Sequence, residues 1–166
     1  MAILPVLVYP DERLKQISAP VTEFDEALRR FVDDFEETAR ASPGCVGLAA
    51  PQVNYFKRIV LVDVSSKPKI SHHGRLMLIN PVIAARDGEA VGREGCLSVP
   101  DYTGNVARAV RITLQYQDVT GQSHSIDCEG YEARAVQHEM DHLDGLLFLD
   151  RLVSGKDLFP RKVYQK

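Results

Sequence analysis

Two histidines four residues apart, His138 and His142, bracket a glutamate in the run His138-Glu139-Met140-Asp141-His142. On a helix, such a spacing projects both side chains from one face about a turn apart, so both imidazoles can meet a single ion. Glu139 can then reach a water on that ion without binding the ion itself. This is the arrangement metal-assisted hydrolysis needs: the ion lowers the pKa of its water and the carboxylate takes the proton. Chance supplies such a pentapeptide in about one chain of this length in a hundred, so the motif needs support from a further ligand.

A catalytic tetrahedral site takes three protein ligands and leaves a fourth position open. Metallopeptidases with this motif often draw the third from downstream, yet no histidine or glutamate follows His142. The stretch His142-Leu143-Asp144-Gly145 resembles the metzincin extension, but Phe148 stands where its third ligand belongs, and phenylalanine binds no metal. Asp144 and Asp150 stay open as ligands for a zinc peptidase built on the same helix, without a motif to support either. Upstream, Arg93-Glu94-Gly95-Cys96-Leu97-Ser98-Val99-Pro100 offers a better candidate. Gly95 permits close backbone approach, and the Cys96 thiol beside two imidazoles and a divalent ion would be deprotonated outright. Cys45 and Cys128 read more simply as small buried hydrophobes. One thiolate and two imidazoles suit zinc, ferrous iron, cobalt or nickel, and argue against magnesium or calcium.

The elements that must position these groups follow from hydrophobic periodicity. Residues 132–143 read as a helix, with Gly145 placed for a C-terminal cap. Tyr131, Ala135, His138 and His142 form one stripe of it, and Val136, Met140 and Leu143 a second, so this helix is expected deep in the fold. Residues 24–40 form an amphipathic helix with Thr22 as its N-cap and Pro43-Gly44 after its end. Between the helices lie apolar or alternating runs, 58–63, 75–79, 110–117 and 123–128, that read as strands. Val119-Thr120-Gly121-Gln122 is the hairpin turn joining the last two, and Ser65 to Gly74, with His72-His73, reads as an exposed loop. A long β region without βαβ alternation predicts an α+β fold: mostly antiparallel sheets packed around the C-terminal metal-binding helix, with an N-terminal helix.

The 166 residues suggest a single domain spanning 1–166, with residues 156–166 as a polar, mildly basic tail. A formal net charge of -3 gives no electrostatic reason to expect the reading of nucleic acid. No apolar run approaches the ~20 residues that cross a bilayer. The opening Met1-Ala2-Ile3-Leu4-Pro5-Val6 lacks the features of a secretory signal, so a cytoplasmic location is expected. Three scattered cysteines make a poor disulfide framework and suit a reducing compartment.

Three segments read together narrow the reaction: Val46-Gly47-Leu48-Ala49-Ala50-Pro51-Gln52, Glu94-Gly95-Cys96-Leu97-Ser98, and Gln137-His138-Glu139-Met140-Asp141-His142. In this order and at these separations they resemble the three signature motifs of the peptide deformylase family. The resemblance runs from Pro10-Asp11 to Leu149. It implies a hydrolase that removes the formyl group from the N-terminal formylmethionine of newly made polypeptides and releases formate. It also implies that Cys96, His138 and His142 bind the metal, ferrous iron in bacterial relatives, with Zn2+, Ni2+ or Co2+ able to substitute. Glu139 would be the general acid/base, while the Gln52 side chain and the Leu97 backbone N–H would polarise the formyl oxygen. By the same resemblance, Val46, Gly47 and Gly95 offer backbone groups to an extended substrate, in the manner of an added strand. The methionine side chain would enter a pocket near Val46, Tyr131, Ala135 and the His138 ring, and Arg108 would hold Glu94. The implied partners are formylmethionyl nascent chains and the ribosome near its exit, with no membrane. One departure touches the entrance to the substrate strand: Cys45 stands where the family's first motif opens with glycine, and it brings a second thiol near the site.

Overall fold

The structure, a computed structural model, describes residues 3–161 apart from Pro43 and Pro68. Helix α1 spans Glu26–Arg40 and helix α2 spans Gly130–Leu143. A five-stranded antiparallel sheet is built from β1 (Gly47–Ala49), β2 (Ile59–Val62), β3 (Leu76–Asp87), β6 (Arg111–Gln117) and β7 (Ser123–Glu129), in the spatial order β1-β2-β3-β6-β7. A second sheet of β4 (Ala90–Cys96), β5 (Val99–Arg108) and β8 (Leu158–Pro160) has the order β4-β5-β8. The α+β architecture expected from the sequence is the one observed, with α2 against the larger sheet.

Strand β2 shows why both helices are needed. All four of its residues are buried. Its side chains alternate between faces. Val60 and Val62 pack with Leu78, Leu114 and the α2 residues Val136 and Leu143, whereas Ile59 and Leu61 pack with Leu28, Val32 and Phe35 of α1. A strand covered on both faces reads as a continuous apolar run, as 59–62 does.

Several boundaries differ from the sequence expectation. Helix α1 starts later, because the Asp25 carboxylate caps it by accepting from the Leu28 N–H at 3.0 Å; Thr22 is not the cap. Phe24 instead packs onto the α1 core ahead of the helix. Strand β3 does not stop at Ile79 but runs on to Asp87, with its register against β6 shifting between Ile79 and Val82. Asn80-Pro81 looks like a turn in sequence; here it is an irregularity inside one long strand, with Asn80 at φ +52°. The β4–β5 hairpin escaped periodicity because glycines and exposed positions interrupt both strands. The tail is not wholly an appendage: Leu158–Pro160 pair with β5, while residues 162–166 lie outside the described residues. Among the described residues, no helix is long and apolar enough to cross a membrane.

Candidate metal centre

Three elements converge on one buried point. Helix α2 brings His138, Glu139 and His142, each with under a tenth of its surface exposed. Cys96 comes from the tight turn of the β4–β5 hairpin, where it pairs with Val99 across Leu97-Ser98. Gln52 comes from a short 3-10 turn, Ala50–Val53, that follows β1. The Cys96 thiol and one nitrogen of each imidazole all lie within 4.8 Å of one another. Cys96 Sγ is 3.4 Å from His142 Nε2. Glu139 stands beside them, with Oε1 3.8 Å from His142 Nε2.

The support of this cluster is ionic and buried. Glu94 Oε1 lies 2.8 Å from His138 Nδ1, which fixes that ring so that Nε2 faces the cluster. Arg108 grips the same carboxylate through two hydrogen bonds of 2.9 Å, and Arg134 adds a third of 2.7 Å. Arg108 also reaches Asp141 at 2.6 Å, and Arg151 meets the same oxygen at 2.6 Å. Burial alone would raise the Glu94 carboxyl, but hydrogen bonds from His138 and Arg108 outweigh it and hold the group at about 2. Burial disfavours charge on His138, yet the nearby Glu139, Cys96 and Glu94 raise its pKa well above the ordinary value. The surroundings therefore favour positive charge at the cluster. Burial, with His138 and Arg108 nearby, pushes His142 well below its ordinary value, leaving a neutral imidazole. Burial pushes Glu139 up to about 7, against the pull of His138.

Two observations test whether a divalent ion fits. The donor set of one thiol and two imidazoles is a transition-metal set rather than one for calcium or magnesium. Glu139 Oε1 is buried without a hydrogen-bond partner among the described residues, as suits an oxygen whose partner is a water on the neighbouring ligand set. The group fits.

A cavity of about 230 Å³ opens onto the cluster, walled by Val46, Gly47, Gly95, Leu97, Tyr131 and Glu139 among others. Gly47 lies on an edge strand of the larger sheet, and Gly95 on an edge strand of the smaller one. Gly47 requires glycine for space, because a Cβ there would overlap Glu139, 2.8 Å from its Cγ, whereas one on Gly95 would meet only the movable end of the Arg161 side chain. The Val46 carbonyl is already used, accepting from Asp63 N–H at 2.9 Å. Gln52 is oriented from behind: its Oε1 accepts from Ala49 N–H, and its Nε2 lies 2.9 Å from Ser98 Oγ and 3.4 Å from Cys96 Sγ. Its amide N–H group therefore faces the cluster. Ala135 does not wall the cavity; it packs in the core between α2 and the larger sheet.

The downstream aspartates are engaged elsewhere. Asp144 pairs with Arg58 at 3.0 Å, and Asp150 Oδ2 accepts from the Leu147 N–H at 2.9 Å. Phe148 is buried with its ring centroid 6.3 Å from that of His138, so it forms a wall of the cluster. Sequence reasoning missed Ser98, Arg134, Asp141, Arg151 and Arg161. Asp141 carried a usable signal: a carboxylate inside a helix expected to be buried needs a cation. Arg161, at the end of β8, gave none.

A small α+β protein with a buried thiol–imidazole cluster, a carboxylate beside it and two open sheet edges defines a metallohydrolase that handles extended peptides. The profile of the family described as polypeptide deformylase matches residues 3–157. The chain belongs to that family. A peptide deformylase of Alkalilimnicola ehrlichii is 46% identical over 166 residues, all of this chain and 91% of the relative. One from Chromobacterium violaceum is 44% identical over 156 residues, 94% of this chain and 90% of the relative. Among solved structures, peptide deformylase from Thermotoga maritima superposes with a TM-score of 0.85 at 37% identity, covering 93% of this chain and all of that one. A class I type b peptide deformylase of Acinetobacter baumannii, solved bound to Met-Ala-Ser, gives 0.84 at 35% identity, covering 91% of this chain and 99% of that one.

Proposed function

We propose that this chain, as one catalytic domain spanning 1–166, hydrolyses the formamide of N-terminal formylmethionine on nascent polypeptides and releases formate. The observation that carries this reading is the position of the Cys96–His138–His142 cluster and Glu139 at the floor of a cavity flanked by two sheet edges. A peptide laid between β1 and β4 as an added strand meets backbone groups of Gly47 and Gly95 and puts its first residue at the cluster. Met-Ala-Ser, seen bound to the Acinetobacter baumannii relative, has the chemistry of a deformylated product.

Cys96, His138 and His142 are the ligands of one divalent ion. An ion held by these three residues would supply Lewis acidity, lowering the pKa of a water and polarising the formyl oxygen. Glu139, with its carboxyl at about 7, can accept a proton from the attacking water and return one to the departing amine near neutral pH. The Gln52 Nε2–H and the Leu97 N–H stand as donors for the oxygen that gains charge, and losing one such donor typically costs about 3 kcal/mol. Tyr131 and Val46 border the space for the methionine side chain.

Ferrous iron is the native ion on this reading, with zinc, nickel or cobalt able to replace it. The site of action is the cytoplasm near the ribosomal exit, where formylated chains emerge. The zinc-peptidase alternative loses its third ligand, because Asp144 and Asp150 are both bonded away from the cluster.

The test is formate release from formyl-Met-Ala-Ser. Glu139→Ala should keep its metal and lose activity by at least a thousandfold. Unchanged activity in that variant, or cleavage of internal peptide bonds by the native chain, would overturn the assignment.

A further inference from the structure

A second set of metal-ligating side chains lies on the far side of the larger sheet from α1. His73, Cys128 and Glu132 each place a ligand atom within 4.8 Å of the other two, and none belongs to the site above. Three separate elements supply them. Cys128 is on β7 and Glu132 is in the first turn of α2. The positive φ of Gly130, +58°, turns the strand directly into the helix, so that the thiol meets the carboxylate four residues on. His73 arrives on the loop between β2 and β3, where its backbone N–H donates to Glu132 Oε2 at 2.7 Å and its Nδ1 lies 2.6 Å from Oε1.

The charge balance at this point is unusual. Glu132 is 1% exposed and Cys128 2% exposed. Among the described residues, no lysine or arginine pairs with Glu132; its ion-pair partner is His73. A buried carboxylate without a permanent cation is costly, and a divalent ion relieves that cost more fully than a shared proton. Burial and the Glu132 carboxylate push the Cys128 thiol up to about 12, so it is held protonated in the structure. A cavity of about 470 Å³ opens beside the three groups, walled by Ser71, Arg86, Arg111 and Asp127 among others. It gives an ion a way in and leaves room for water as a fourth ligand.

We infer that His73, Cys128 and Glu132 form a second divalent-cation site of the zinc class, distinct from the catalytic centre. Thiolate, imidazole and carboxylate are all ordinary zinc ligands. A dication with one thiolate and one carboxylate is electrically neutral overall, which suits burial. On binding, Cys128 releases its thiol proton to solvent. The proton between His73 Nδ1 and Glu132 Oε1 also leaves that contact on binding: the ring takes the Nε2–H tautomer by exchange with solvent, which reaches its 40% exposed side chain, and offers Nδ1 to the ion. The ion ties His73 to the first turn of α2, whose later turns carry the ligands proposed for the catalytic ion.

The count of two rests on the catalytic cluster holding one ion as proposed above, and the second site is read by the difference between native and variant chains. The native chain, equilibrated with excess zinc at pH 7.5 and freed of loose ions by gel filtration, should retain two zinc ions per chain. His73→Ala, which keeps the backbone N–H bond to Glu132 but removes the ring, should retain one, and Cys128→Ser should also retain one. A native stoichiometry of one would overturn the inference, as would two ions retained by His73→Ala.

Discussion

Replacing Glu94 by glutamine removes one charge and almost no volume, and its effect can be worked from the contacts. Oε1 accepts from Arg108 and His138, and Oε2 accepts from Arg108 and Arg134. A glutamine has one oxygen for these four donors. Its amide nitrogen must face either the Arg108–Arg134 pair or the Arg108–His138 pair, so two buried donors lose their acceptor in both orientations. Arg108 keeps only Asp141 as a counter-charge. Breaking a buried pair by removing one partner costs about 3–5 kcal/mol, which for a chain of this size lowers Tm by roughly 10 °C. The second consequence is chemical. With the amide N–H group towards Nδ1, the His138 ring must protonate Nε2 and cannot offer it to a metal, so affinity should fall about 10–100-fold. Glu94→Gln is therefore expected to melt lower by calorimetry and to lose metal faster to a chelator, while Glu94→Asp should do the same less severely. If Glu94→Gln melts within 2 °C of the native chain and holds its metal equally well, the ionic cluster does not position His138, and this account of the site fails.

Three further outcomes follow from the cavity walls and the donor set. Gly47→Ala drives a methyl into Glu139. A displacement of about 1 Å there should lower kcat about a hundredfold with little change in KM, and a variant with native kcat would show that Glu139 tolerates movement. Cys45 Sγ donates to the Gly47 carbonyl at 3.2 Å, so Cys45→Ala frees an acceptor on the substrate edge. Removing that competition, worth about 0.5–1 kcal/mol, should lower KM for formyl-Met-Ala-Ser two- to fivefold at constant kcat; a raised KM would mean the thiol assists binding. Chain reconstituted anaerobically with ferrous iron should release formate faster than the zinc form, and equal rates would refute the choice of iron.

The helical motif and both sheet-forming runs near it were legible because their periodicity reports burial directly. The convergence of Gln52, Cys96 and His138 was not, since residues 44 and 42 positions apart meet through sheet topology that no local pattern encodes. Cys96 was a candidate ligand from its residue type alone, whereas Gln52 became readable only when three segments were compared with a family. The β4–β5 hairpin stayed hidden because Gly92, Gly95 and Gly104, with the exposed positions around them, dilute the alternation that marks a strand. The His73–Cys128–Glu132 cluster was illegible for a related reason: each residue alone looks ordinary, and only the turn at Gly130 and the return of a loop bring them together.

The site's rigidity is explained by where its polar parts end. Cys96 sits in a two-residue turn, Gln52 is held at both ends of its amide, and His138 is fixed through Glu94 to arginines from β5 and α2. Among the described residues, Glu139 Oε1 and His142 Nδ1 are the buried polar atoms of this constellation with no hydrogen-bond partner, and for Glu139 the reason is chemical. In the role proposed for Glu139, a group that exchanges protons during turnover cannot be locked by a permanent donor, because each hydrogen bond to its charged form would lower its pKa away from neutrality. Burial without a partner does the opposite, and holds that carboxyl at about 7. The close packing of Gly47 over Glu139 then replaces hydrogen bonds as the means of positioning it, which is why the smallest residue on the edge strand governs the reactive carboxylate.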